Sequence, residues 1–259
     1  MLKTTHNAGF FSCCSVKLHD IINYVNKNNK LPDIVDSSQQ FNWYKPSSYA
    51  DITFTYFENY NKMNVPITKL QNIDYYHDKQ FEDYNKLDYA AICPYVKKYF
   101  TPSTNISQII DYIEKKYNIT NYNDICVLFY RGNDKITETK LCTYEDIIEK
   151  AKHVLELNPN VKFLIQSDET EFIQKIIDTF PLNTFYFKDE IRHMPKNNST
   201  VDKVFRNTNF DFSQLYLAIT IIMSKCNYII FCSGNCSIWI MLYREHSNNM
   251  FQYLNGVWL

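Results

Sequence analysis

The chain has 259 residues, 45% of them hydrophobic, enough for one large or two small domains with a full core. Its 27 Lys and Arg against 28 Asp and Glu leave a formal net charge of −1, which argues against a nucleic-acid polyanion as partner. Eight cysteines without a CxxC pair exclude a disulfide framework or a thiol-rich zinc site. The 21 Tyr and 18 Phe accompany many Asn, Lys and Ile, all with A/T-rich codons, so they carry no functional weight by number alone.

Gly9 stands just ahead of a segment in which Cys14, Leu18, Ile21 and Val25 recur at helical spacing, ending at Asn26 to Asn29. Cys13 and Cys14 read as core packing rather than chemistry. The start lacks the apolar stretch of a signal peptide, and a cytoplasmic, reducing setting is expected. Residues 31–104 are rich in Tyr, Asn and Asp and show no sustained period. Ile109, Tyr112 and Ile113 predict a helix after Asn105. A division near residue 118 would separate an N-terminal domain, 1–118, from a C-terminal domain, 119–259.

Beyond that division the pattern is regular. Ile125 to Phe129 is a continuous apolar run, as expected of a strand buried on both faces. Thr143-Tyr144-Glu145-Asp146 resembles a capping box ahead of Ile147, Ala151, Val154 and Leu155. Val161 to Ile165 predicts a second strand, ending at Ser167-Asp168, where Asp168 and Glu171 can cap a helix carrying Phe172, Ile176 and Phe180. Thr184 to Phe187 predicts a third short strand, and Lys188 to Asn209 a long polar connection with Glu190, Arg192, His193 and Lys196. A helix from Asp211, apolar almost all round, precedes a fourth strand, Tyr228 to Cys232, and a helix from Ser237 to Arg244. The apolar run around Leu215 to Met223 is too short to span a bilayer. Alternating strands and helices give a Rossmann-like parallel α/β domain.

The chain has only four glycines, and two of them follow strands: Gly132 after Arg131, and Gly234 within Ser233-Gly234-Asn235-Cys236-Ser237. Open α/β sheets bind ligands at such strand ends. Arg131 can grip a phosphate with its planar fork while Asp134 holds it, or the two can form an ion pair that only closes a loop. Ser233, Gly234, Asn235 and Ser237 can offer hydroxyls and free N–H groups to an anion, or serve only as a helix cap. Ser167 and Asp168 suit either a ribose or a helix N-cap, and His193 either a general base or the surface. No Asp-x-Asp pair offers a metal-bridged diphosphate its ligands.

The order of these motifs resembles that of the inverting fucosyltransferases, the α1,6, α1,2 and protein O-fucosyltransferase families. Those enzymes have a strand ending in His-x-Arg-x-x-Asp, a later strand ending in Ser/Thr-Asp, and a Ser-rich turn opening a last helix. Phe129-Tyr130-Arg131-Gly132-Asn133-Asp134 is similar to the first motif at Arg131 and Asp134, Phe163 to Asp168 to the second, and Met223 to Trp239 to the third. Gly9 weakly resembles the N-terminal glycine loop of the family. The resemblance covers roughly residues 120–245. It implies a GT-B-like fold of two Rossmann-like domains with GDP-fucose in the cleft, no metal, and a carbohydrate-type acceptor. It further implies Arg131 and Asp134 as the catalytic pair. Donor-binding residues would be Gly9, Gly132, Ser167, Asp168, His193, Ser233, Gly234, Asn235 and Ser237, with Asp168 reading the guanine or ribose. Phe129 stands in place of the motif histidine, and Gly132 where the α1,6 enzymes have a second arginine. A non-catalytic nucleotide- or glycan-binding module on the same fold is the competing expectation.

Overall fold

The computed structural model describes residues 1–46, 51–60, 64–67 and 79–259. The N-terminal part opens with a β–α–β unit: β1 (Leu2–His6), α1 (Phe10–Asn28) and β2 (Val35–Gln40), the two strands pairing in parallel. Helix α1 buries Cys14, Leu18, Ile21 and Val25, the apolar stripe read from the sequence, and Asn29 ends it in a left-handed conformation with φ 50°. The short α2 (Thr53–Tyr56), then α3 (Tyr89–Phe100) and α4 (Thr104–Lys116) follow. Ser103 caps α4 by accepting from the Ile106 N–H. Part of the 31–104 stretch lies outside the described residues.

The second sheet has six strands in the order β5–β4–β3–β6–β7–β8, formed by β3 (Ile125–Tyr130), β4 (Lys162–Ser167), β5 (Thr184–Phe185), β6 (Tyr228–Cys232), β7 (Met250–Leu254) and β8 (Val257–Trp258). All neighbours are parallel except the terminal β7–β8 hairpin. Its turn is Asn255-Gly256, with φ 52° and 94°, the paired positive values of a primed hairpin turn. Every residue of β3 is buried, as its unbroken apolar run requires. Helices α5 (Tyr144–Leu157), α6 (Thr170–Thr179), α7 (Val201–Val204), α8 (Asn209–Lys225) and α9 (Asn235–Arg244) complete this part. Thr143 and Asp146 form the expected capping box at the start of α5.

The fold is α/β, dominated by a parallel sheet flanked by helices. From β3 the chain winds outward through β4 and β5, then returns to place β6 on the other side of β3. The β3–β6 boundary is therefore the point where the strand order reverses, and a crevice opens there beyond the carboxyl ends of the strands. The third strand is shorter than the sequence predicts. The Phe187 carbonyl accepts the Glu190 and Ile191 N–H groups in a turn, and the Phe187 ring packs edge-on against Tyr117, with centroids 4.8 Å apart. One continuous apolar core runs from Phe10 to Tyr253 through both parts. All eight cysteines are buried free thiols. No helix of the described residues is long and apolar enough to cross a membrane.

Candidate functional site

The turn after β3 is fixed by two consecutive acids from the end of β4. Asp168, whose side chain is only 3% exposed, accepts from Arg131 Nε at 2.9 Å and from the Gly132 N–H at 3.0 Å. Glu169, fully buried, accepts from the Asn133 N–H at 2.7 Å and from the Tyr144 hydroxyl. The Asn133 side chain donates to the Asp168 carbonyl at 2.9 Å, and its backbone takes a positive φ of 29°. Gly132 is required by close approach: a Cβ there would lie 2.0 Å from Glu169 Oε1. Asp134 meets the other end of Arg131, with Oδ1 3.3 Å from Nη2.

These contacts leave the Arg131 guanidinium 24% exposed and aimed by its carboxylates. Burial disfavours its charge, but Asp168, Tyr216 and Asp134 outweigh burial and hold its pKa above the ordinary arginine value. It is a permanent cation in a fixed place.

The turn after β6 works without charge. Gly234 precedes α9, and no side chain caps the helix. Ser233 Oγ donates to the Tyr253 carbonyl and accepts from Gln252 Nε2, while Ser237 Oγ donates to the Cys232 carbonyl. The Asn235 amide oxygen accepts from Ser15 Oγ at 2.9 Å, and Ser15 Oγ in turn accepts from Trp239 Nε1 at 3.0 Å, tying α9 to α1. The serine hydroxyls expected to meet a ligand are thus spent on the fold. The backbone N–H groups of Asn235, Cys236 and Ser237 find no acceptor among the described residues, as the first turn of a helix leaves them. They carry the positive end of the α9 dipole.

Both turns line one cavity of about 330 Å³, which also includes Gly9 and Phe10 at the start of α1, Phe129, Trp43 and Gln80. Lys135 and Lys203 lie on the same wall as Arg131. Arg131, Asp202 and Tyr216 are shared with a smaller chamber of about 50 Å³, which reaches Gln166, Arg192 and Phe212. There the Arg192 guanidinium stacks 4.7 Å from the Phe212 ring, and its Nη1 donates to Asn209 Oδ1 at 2.7 Å. The Gln166 amide oxygen is buried without a partner among the described residues.

The structure brings Gly9, Arg131, Asp134, Ser233, Gly234, Asn235 and Ser237 to one cavity and Asp168 to the smaller chamber beside it, while Gly132, Ser167 and His193 line neither. Asp168 does not cap α6; its two oxygens accept from Arg131 and Gly132, and it lines the smaller chamber. Ser167 turns inward, its hydroxyl accepting from the Glu169 N–H at 3.0 Å. His193 lines neither cavity. Its Nδ1 lies 2.8 Å from Thr170 Oγ1, and burial lowers its pKa. Gly132 acts through its backbone N–H and through the space it leaves for Glu169. Glu169, Tyr216, Trp43 and Gln80 escaped the sequence reading, in which Arg192 figures only as part of the long polar connection. Only Glu169 left a trace there, as the second acid after a strand end. Among the described residues, no group of His, Cys, Asp and Glu side chains gathers to hold a metal.

A parallel sheet with a cavity at its reversal point and an uncapped helix N-terminus opening onto it places the fold in the open α/β class. The particular fold is shared with solved structures of the NodZ α-1,6-fucosyltransferase. One, soaked with GDP-fucose, superposes with a TM-score of 0.59 at 10% identity, covering 99% of this chain and 97% of that one. A second, co-crystallised with GDP, gives 0.62 at 11% identity, covering 99% and 96%. NodZ from Bradyrhizobium gives 0.60 at 10% identity, with the same coverage. The likeness is one of fold, along nearly the full length of both chains. No protein-family model matches the chain, and no curated protein matches it in sequence.

Proposed function

We propose that this protein is a glycosyltransferase, an inverting fucosyltransferase that takes GDP-fucose in the β3–β6 crevice and passes fucose to a carbohydrate-type acceptor. The observation that carries the reading is the convergence of the Arg131 guanidinium and the free N–H groups of α9 on one cavity. A nucleoside diphosphate matches that pair of donors, and the volume is that of small-molecule sites, roughly 300–1,000 Å³. In the transfer, the bond between the sugar's anomeric carbon and the phosphate oxygen breaks as the acceptor oxygen bonds to that carbon from the opposite face. The negative charge that collects on the departing diphosphate meets Arg131 and the α9 N-terminus, already in position. Protein groups supply this positive charge, so the reaction needs no metal.

In this reading residues 1–118 form the acceptor side and residues 119–259 the nucleotide side, in a cytoplasmic protein. The smaller chamber beside Arg131, with the Arg192–Phe212 stack and the partnerless Gln166 oxygen, is where a base attached to that diphosphate would reach. GDP and GDP-fucose at ~100 times their Kd raise stability by roughly 2.7 kcal/mol, read as a higher Tm. UDP or CMP sugars raising it while GDP does not would refute the donor. Turnover survives EDTA. Its complete loss, restored by manganese, would refute the metal-free mechanism.

Phe129, lining the cavity in place of the motif histidine, favours a second reading: a binding module that keeps the nucleotide site and has lost turnover. Slow release of free fucose from GDP-fucose separates the two, because only the enzyme reading predicts it.

A further inference from the structure

Two side chains on the wall of the larger cavity have no role in the diphosphate site. The first is Trp43. Of the three tryptophans, Trp239 is fully buried, donates to Ser15 and packs against Phe11, Phe100 and Tyr243. Trp258 packs edge-on against Tyr253 beneath Lys150. Trp43 is half-buried, one side against the core, and lines the cavity. It makes no ring contact, cation contact or hydrogen bond with any described residue. The second is Gln80, whose amide oxygen is buried without a hydrogen-bond partner among the described residues and which lines the same cavity. A buried amide oxygen without a partner is costly until something supplies a donor.

The position of Gln80 relative to the diphosphate site says what that donor belongs to. The Tyr84 hydroxyl donates to the Gln80 carbonyl at 2.6 Å and accepts from the Gly234 N–H at 3.2 Å. The Gln80 backbone is therefore one hydroxyl group away from Gly234, the residue that leads into α9. The Gln80 side chain lines the same cavity as Asn235, Cys236 and Ser237, so a group attached to a phosphate at that helix end shares the cavity with it. A sugar ring has the matching chemistry: hydroxyls that donate to an amide oxygen, and a face of C–H groups that an indole covers while its N–H stays available.

Resting on the nucleotide-sugar reading above, we propose that Trp43 and Gln80 form the subsite for the donor's sugar ring, Trp43 covering its C–H face and Gln80 accepting from a ring hydroxyl. The subsite distinguishes a nucleotide sugar from the bare nucleoside diphosphate.

Calorimetric titration of the full chain with GDP and with GDP-fucose tests this. Trp43→Ala and Gln80→Ala are each expected to weaken GDP-fucose about tenfold, the worth of one good contact, and leave the Kd of GDP within about twofold. Trp43→Phe, which keeps an aromatic face, is expected to recover most of the loss. The unchanged GDP affinity reports that each variant is folded, and Gln80→Ala carries the test should Trp43→Ala fail to fold. If both nucleotides bind the wild type but the variants shift them equally, or shift neither, the sugar subsite is overturned and the nucleotide reading stands. An effect seen only on the acceptor's KM overturns it too. If the wild type binds neither nucleotide, the nucleotide reading itself has failed.

Discussion

The turn after β3 and the turn after β6 face the same crevice, but they are made of different materials. The first presents a full positive charge on a long side chain, which must be aimed. Asp168 and Asp134 hold its guanidinium, and Asp168 and Glu169 hold the backbone beneath it. The second presents neutral N–H groups whose direction comes with the helix, and its side chains only close the surrounding hydrogen bonds. A charged donor needs buried partners, which makes it sensitive to every neighbour. A backbone donor comes with the fold and answers only to changes that touch the helix end itself.

Breaking the charged turn has the largest expected effect. Arg131→Ala abolishes transfer and also unfolds the protein more easily, by about 3–5 kcal/mol, because it leaves the buried Asp168 without its cation. Arg131→Lys restores part of that stability but lacks the two-pronged grip, so GDP affinity falls about 100-fold. Denaturant unfolding beside GDP titration separates the two effects. Equal loss of both for Lys and Ala would mean that Arg131 is only structural.

Gly132→Ala comes next. Its Cβ collides with a carboxylate that Asn133 and Tyr144 pin in place, so the turn must shift, at about 1–3 kcal/mol. GDP affinity falls in parallel, because Arg131 moves with the turn. Unchanged stability would show that Glu169 swings aside freely.

The smallest effect sharpens the neutral side. Asn235→Pro removes one N–H of the α9 first turn at a position where proline suits a helix, and Gly234 before it is already extended, with ψ 172°. Asn235→Ala loses the same bond to Ser15 yet keeps the N–H. The ratio of their GDP affinities isolates the backbone donor, expected at about fivefold to tenfold against proline. A ratio of one would remove the α9 N-terminus from the site.

Much of the second sheet is legible in the sequence. β3, β4 and β6 are short continuous apolar runs, and a sheet covered on both faces demands them. Arg131 and Gly234 stood out because glycine and charge interrupt those runs. The N-terminal strands were missed for the opposite reason. β2, Val-Asp-Ser-Ser-Gln-Gln, carries a single apolar residue; its buried Ser37 pairs with Thr4 Oγ1, and Gln40 Nε2 donates to the Cys13 carbonyl. α3 hid behind Pro94, which sits inside the helix. Glu169 could not be told from a helix cap, because its role depends on Gly132 being opposite, a fact of tertiary structure. The same holds for His193: on an irregular segment, its neighbour Arg192 faces the chamber and the histidine does not.

The most direct test of the crevice is a calorimetric titration of GDP into the wild-type protein and into Arg131→Lys at one fixed salt concentration without added metal. The structure predicts one site per chain in the wild type and an affinity about 100-fold weaker in the variant, while both unfold cooperatively. A wild type that ignores GDP, or a lysine variant that binds it equally well, would contradict a diphosphate held between Arg131 and α9.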